Sequence, residues 1–487
     1  MGSNIREAEL KISPTAERIT ELLAAISKLQ NHYHEFYQGQ LGVPSSLPGD
    51  YPHATSTILD ALADLSVSQG RPDSIALALR INRNTQSVDI IASKNQDVPP
   101  DAVVHLHQIW YFLRRLSNRY WTIHPHGTGE TIGDREFRDV SLQFADNCVK
   151  FSSKRLKEII NSRFLDVIDV SADILDPDHA FYGFRDSIRA VQHMLSRDEN
   201  TFHDEDWRLL FFCLREVEKA TDRLYKSDGL LQNHRKLRSL VYTGWLSRVT
   251  SVWTSYDNLM KATVSPVFHD LFSLELNIHA LLPETGKLSS VAQSAKQWED
   301  VLEAALAYNN EYGDPRYTPS GVLDLNRIEA DTIYMAQEGV PREIVVHAET
   351  KLLAAIEKTQ QEQPELPKAF AYISTTEFPC HGCDCFSRAF NITHGTSWKT
   401  KRGYGAACPS WMFPSVLSTR DDVLKATYNM IATDWAAYYR GYLPRPASSY
   451  SDSPPQPPRG GDVLDFYEEE AADIMAKMTE LRRDMEN

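Results

Sequence analysis

The sequence predicts a multidomain chain: a large, mostly α-helical N-terminal region over residues 1–312, then a C-terminal α/β domain over 313–443 with a mixed sheet covered by helices. Apolar residues recur at helical spacing through the first two thirds of the chain, Gly and Pro punctuate it just after residue 312, and short apolar runs then alternate with helical ones.

Ser13-Pro14 reads as an N-cap followed by Pro at the first helical position. Ile19, Leu22, Leu23, Ile26 and Leu29 then form one apolar face. Val103 to Trp121 repeats the type, with Leu106, Ile109, Trp110 and Leu113 on one side. Segments 135–170, 184–196, 205–228, 232–262 and 288–311 follow, with no fixed-period repeat. After Gly313, Pro315, Pro319 and Gly321, Thr332 to Met335 and Ile344 to Val346 are candidate strands. Ala348 to Lys358 reads as a helix and Ala369 to Ile373 as a buried central strand. Cys380 to Phe390 is helical again, Trp398 to Arg402 a strand, and 420–440 a long helix. Residues 444–461, with six prolines, four serines and a Gly-Gly pair, form a disordered linker. Residues 462–487 form an amphipathic helix whose Leu464, Tyr467, Ala471, Ile474, Met478, Leu481 and Met485 make a heptad seam. That helix suits docking on its own protein, a protein partner or self-association.

Composition narrows the function. Acids outnumber bases to give a net charge of −15, which argues against coating nucleic acid by bulk electrostatics but leaves room for a local basic groove. No apolar run approaches the ~20 residues that span a bilayer, and the start of the chain, Met1 to Arg6, is polar. A cytoplasmic or nuclear protein with no membrane partner is the expectation.

The six cysteines are too sparse for a disulfide scaffold, and three of them, Cys380, Cys383 and Cys385, crowd one hexapeptide. Such clustering points to metal or redox chemistry in a reducing compartment. Pro379-Cys380-His381-Gly382-Cys383 follows His347-Ala348-Glu349 by about 33 residues. Zinc favours nitrogen and thiolate donors in a tetrahedron, and a catalytic site uses three of them. His347, Cys380 and Cys383 supply such a set. Cys380 and Cys383 share a helix face, and a helix N-terminus favours their thiolate form. Glu349, in the first turn of its own helix, can sit beside the metal without ligating it and carry a proton from water to a leaving nitrogen.

This H-x-E with P-C-x-x-C pattern resembles the zinc-dependent cytidine deaminase superfamily. More narrowly the chain resembles the OTT-type deaminase-like family, common in fungi, whose members are similar in carrying a long helical N-terminal region and a C-terminal deaminase domain. The Gly-rich turn at Gly403 and Gly405 and the Trp-x-x-Pro of Trp411 and Pro414 fit the same resemblance, which covers about 315–440. It implies a cytidine deaminase-like fold for the C-terminal domain and hydrolytic deamination of a nucleobase, as nucleotide or single-stranded nucleic acid. Zn2+ would be held by His347, Cys380 and Cys383, and Glu349 would be catalytic.

The alternative is an inactive deaminase-like domain with a structural zinc in a helical scaffold protein, because His381, Cys385 and Cys408 offer competing ligands. Other candidates carry less. Lys399, Lys401 and Arg402 could meet a phosphate but read better as a solvated strand face. Trp411 and Phe413 could stack on a base but read better as core. His105, His107, His124 and His126 have no ligand partners nearby in sequence, and no Walker, kinase or nucleophile-elbow motif is present.

Overall fold

The computed structural model describes residues 15–32, 53–69, 74–125, 134–161, 168, 180–226, 245–288, 292–312, 325–337, 343–377, 379–400, 406–417 and 421–439. The linker and tail helix expected over 444–487 lie outside these residues, as do Ser13 and Pro14.

The described residues are mostly helical around a mixed sheet. The strands are β1 (Ile75–Asn82), β2 (Ser87–Lys94), β3 (Glu275–Ala280), β4 (Thr285–Lys287), β5 (Glu343–Val345), β6 (Tyr372–Thr375) and β7 (Lys399–Thr400). Five of them pair in the order β3-β2-β1-β6-β7, while β4 and β5 form a separate antiparallel pair. β1 runs antiparallel to both β2 and β6, and the outer pairs β2–β3 and β6–β7 are parallel. The β1–β2 hairpin closes through Asn82, whose Oδ1 accepts from the backbone N–H groups of Asn84 and Thr85.

The sheet separates two apolar cores because β1 is buried on both faces. Ile75, Leu77 and Leu79 join one core, Ala76 and Ala78 the other, as the period of two requires. The second core is built with α1 (Ala16–His32) and the helices that carry the site. The first core holds α2 (His53–Leu65), α3 (Pro100–Ile123), α4 (Arg135–Ile160), α5 (Ala180–Ser196), α6 (Asp204–Lys226), α7 (Trp245–Thr263) and α8 (Pro266–Ser273). The second also receives α9 (Ala295–Tyr312), α10 (Leu325–Gln337), α11 (Ala348–Glu362), α12 (His381–His394) and α13 (Asp421–Tyr439). Asp60 on α2 ties that helix to β6 by accepting from the Tyr372 hydroxyl at 2.8 Å and the Ser374 hydroxyl at 2.7 Å.

The described part of residues 1–312 is mostly helical, as expected, and also holds β1, β2, β3 and β4; β1 is the central strand of the sheet that β6 and β7 complete. One expectation needs correction. The segment Thr332 to Met335 is not a strand but part of α10. Ile328, Asp331, Thr332 and Met335 are buried while Ile333 is 49% exposed, so burial follows the helical period and overrides the β-branched run. α1 is capped by Thr15, whose Oγ1 accepts from the Arg18 N–H at 3.2 Å. Among the described residues no helix is long and apolar enough to cross a membrane.

Candidate metal centre

Two helix N-termini meet at the edge of the second core. β5 leads into His347, which is the N-cap of α11 with extended backbone angles (φ −65°, ψ 151°) and makes no capping bond with its side chain. Asn95, just past β2, does that work: its Oδ1 accepts from the Ala348 N–H at 2.9 Å. The imidazole is thereby released. Cys380 is likewise the N-cap of α12 without a side-chain cap, and the His381 N–H donates instead to the Ala406 carbonyl at 2.8 Å. Gly395, at φ +61°, ends α12 in the left-handed region that glycine favours.

The donors converge. His347 Nδ1 lies 3.5 Å from Cys380 Sγ and 3.5 Å from Cys383 Sγ, and the two sulfurs are 3.6 Å apart. Tetrahedral zinc with Zn–N and Zn–S bonds of about 2.0–2.3 Å has ligand–ligand edges of about 3.3–3.8 Å. All three separations fall in that range, so the residues fit the ion. Glu349 stands beside them, its Oε2 3.7 Å from Cys383 Sγ. Cys383 is fully buried, and His347 and Glu349 are only 9% and 8% exposed.

The donors set one another's protonation. The Cys383 thiol beside Cys380, outweighing burial with help from His347, holds the Cys380 thiol well below its usual range. Burial pushes the Cys383 thiol up. For His347, burial disfavours the proton, but the Cys380 and Cys408 sulfurs outweigh it and raise the pKa. Burial raises Glu349, which suits a group that must pick up a proton and release it.

The competing ligands divide. Cys408 faces His347, which lowers its thiol pKa against the opposing effect of burial. His381 and Cys385 instead group with Asp434 of α13. The loop carrying Cys408 is held by the Val345 N–H donating to the Ser410 carbonyl at 2.8 Å and by a parallel bridge between Val345 and Trp411.

Trp411 and Phe413, 0% and 2% exposed, pack with Phe386 in the core, which removes them as stacking platforms. Lys399 is half-buried on β7, while Lys401, Arg402, Gly403 and Gly405 lie outside the described residues. His105 is buried against Phe151, ring centroids 3.8 Å apart, and His107 is exposed on α3. His124 is half-buried and His126 lies outside the described residues. A shallow groove of about 440 Å³ on α3, lined by Val104, His107, Tyr111 and Asn147 among others, belongs to the other layer and holds none of the ligands. Sequence reasoning missed Asn95 and Asp434. Neither belongs to a motif, and only the fold brings them to the site helices.

Residues 346–415 match the family model described as OTT_1508-like deaminase (OTT_1508_deam). Over that segment the chain resembles the OTT-type deaminase-like family. The match spans His347, Glu349, Cys380, Cys383 and Cys408 together. No curated protein and no solved structure matches the chain.

Proposed function

We propose that the protein is a zinc-dependent hydrolytic deaminase acting on a nucleobase, presented as a nucleotide or in single-stranded nucleic acid. The observation that carries this reading is the approach of His347 Nδ1, Cys380 Sγ and Cys383 Sγ to within 3.5–3.6 Å of one another with the Glu349 carboxyl alongside. The match of residues 346–415 to a deaminase family supports it.

In this reading His347, Cys380 and Cys383 hold zinc, which when bound supplies Lewis acidity that brings the pKa of a water toward neutrality. Glu349 would accept a proton from the water whose oxygen bonds to the amino-bearing ring carbon, and would pass it to the amino nitrogen as the carbon–nitrogen bond breaks and ammonia leaves. Its burial keeps the carboxyl from being fixed as a solvated anion, and its place in the first turn of α11 keeps it close to the ligands but out of their set. The acidic balance of the chain favours a small substrate, or a nucleic acid gripped by a local patch.

Glu349→Gln keeps the size and hydrogen-bonding reach of the side chain. The variant should retain zinc and fold, and lose deamination of the responsive base by about 10²–10⁴-fold. If wild type and variant release ammonia equally from every amino-bearing base tested, the assignment fails. The second reading, a closed structural zinc site in a scaffold protein, is favoured by one observation: the Cys408 thiol faces His347. Under that reading Cys408→Ser weakens zinc retention as strongly as Cys380→Ser does. Under the enzyme reading only Cys380→Ser does so. Residues 462–487 are the segment proposed to recruit a protein partner or a second copy.

A further inference from the structure

We propose that His381, Cys385 and Asp434 form a second metal site, for a zinc-class divalent cation, that pins α12 to α13 behind the first centre. His381 and Cys385 are four residues apart and so lie on one face of α12, the spacing by which a single helix offers two ligands to one ion. Asp434 reaches them from α13, which packs directly against α12.

One ring nitrogen lies near both other donors. His381 Nε2 is 3.4 Å from Asp434 Oδ2 and 3.7 Å from Cys385 Sγ, and the sulfur and carboxylate oxygen are 4.0 Å apart. Cys385 Sγ is also 3.9 Å from His381 Nδ1. Nitrogen, sulfur and oxygen bound to zinc at about 2.0–2.3 Å stand about 3.3–3.8 Å apart. The three separations lie near that range, the longest edge being a few tenths of an ångström too wide; because Sγ is almost equidistant from Nε2 and Nδ1, the imidazole must also rotate to aim Nε2 between the sulfur and the carboxylate. A hydrogen on Nε2 can be directed fully at only one of its two neighbours, whereas a cation at the common vertex serves all three.

Charge and burial agree. Cys385 is fully buried and His381 is 2% exposed, while the Asp434 side chain is 34% exposed. Solvent thus reaches the cluster from the carboxylate side, where a fourth, non-protein ligand would sit. Ligating a cation as thiolate and carboxylate, Cys385 and Asp434 would bring two negative charges to a largely dry site, and a dication would neutralise both. Arg388 lies near enough to act on Asp434, but its guanidinium is 3.7 Å from the Asp384 carboxylate, so the α12 surface already offers it a partner. Cys380 immediately precedes His381, so an ion in the second site would stiffen the turn that presents the first centre's sulfurs.

The test is metal counting on the full-length protein after reconstitution with zinc and removal of excess. Wild type should hold two equivalents. Cys385→Ala and Asp434→Asn should each hold one, and Cys380→Ser should lose the other. Cobalt substitution separates the centres spectroscopically: a Cys380→Ser/Cys383→Ser variant should still show a thiolate-to-cobalt band, which adding Cys385→Ala abolishes. Should Cys385→Ala fail to fold, Asp434→Asn, at the solvent side, carries the count. A single equivalent in wild type that survives Cys385→Ala and Asp434→Asn overturns the proposal, leaving a buried His–Asp pair with a packed thiol. Loss of one shared equivalent in both Cys380→Ser and Cys385→Ala overturns it too, by placing Cys385 in the first centre. Neither result depends on ammonia release, so the count stands apart from the catalytic reading.

Discussion

Gly382 sits between Cys380 and Cys383, and the packing around it predicts what a methyl group there would do. A Cβ at this position would come within 2.8 Å of Leu23 Cδ1 and 3.1 Å of Trp411 Cγ and Cδ2. Leu23 ends in a flexible branch of α1 and can give way. Trp411 is fully buried, wedged against Phe386 and Phe413, and joined to β5 through Val345. Overpacking of this kind costs about 1–3 kcal/mol. Alanine recovers roughly 0.5–1 kcal/mol of helix propensity, less in a first turn than in an interior. The net destabilisation expected for Gly382→Ala is therefore about 1–2 kcal/mol, which in a chain of this size lowers the melting midpoint by only about 1–2 °C. The larger effect falls on the metal. Displacing Trp411 drags β5, and with it His347, away from sulfurs it meets at 3.5 Å. Loss of such outer support typically weakens metal binding about 10–100-fold. Competition against a zinc-binding dye, with melting curves on the same samples, reads both effects. Unchanged zinc affinity, or a variant stabilised by the propensity gain, would refute the reasoning, since either means the site has room for a methyl group.

Other substitutions test separate parts of the molecule. Burial lowers the His105 pKa to about 4 from its usual 6.5, so the folded state stays neutral while the unfolded chain takes up a proton. Stability from this residue is complete above pH 6.5 and is lost as pH falls toward 4, about 3 kcal/mol in all; His105→Phe, which keeps the stack on Phe151, should flatten denaturant stability over that window, and parallel curves would count against it. Asn95→Ala removes the cap on α11, costing about 1 kcal/mol, and should weaken zinc binding about tenfold or more, whereas Asn95→Asp retains both; an unchanged dye competition would show that the cap does not position His347. A fragment spanning 313–443 lacks β1, β2 and α1, so it should show no cooperative melt and retain no zinc; a sharp transition with bound metal would show that the sheet can be completed without the N-terminal hairpin.

The convergence of the candidate site was legible because its residues lie in two short motifs, each at the start of a helix: His347 and Glu349 open α11, Cys380 and Cys383 open α12. In the other layer α3 to α7 were legible from their 3.6-residue stripes, whereas α2 and α8 were not singled out. The β1–β2 hairpin was not recognised, although Ile75 to Leu79 is continuously apolar, because a run buried on both faces has no alternation to set it apart from a helix segment. The asparagine at its turn was the available signal. Thr332 to Met335 misled in the opposite direction, since β-branched residues were weighed without asking which of them the core would cover. Asn95 and Asp434 are isolated polar residues, and nothing local distinguishes them from surface positions.

The two N-caps explain why the site depends on distant chain. A helix N-terminus is normally satisfied by its own N-cap side chain. At His347 and Cys380 that option is given up, because the side chains are turned toward one another. The first free N–H of each helix must then find an acceptor elsewhere, or cost about as much as a lost buried hydrogen bond. Asn95 Oδ1 and the Ala406 carbonyl are those acceptors. One comes from the end of β2, some 250 residues before the ligands, and the other from the loop that carries Cys408 toward His347. Placing both helix N-termini at one spot also directs their positive ends at two thiolates and a carboxylate, which a single dication would leave with excess negative charge. The H-x-E and P-C-x-x-C motifs thus name the donors, but the sheet and the 406–412 loop free them to point inward. Substitutions of Asn95 or in that loop should therefore act on metal affinity before they act on the fold.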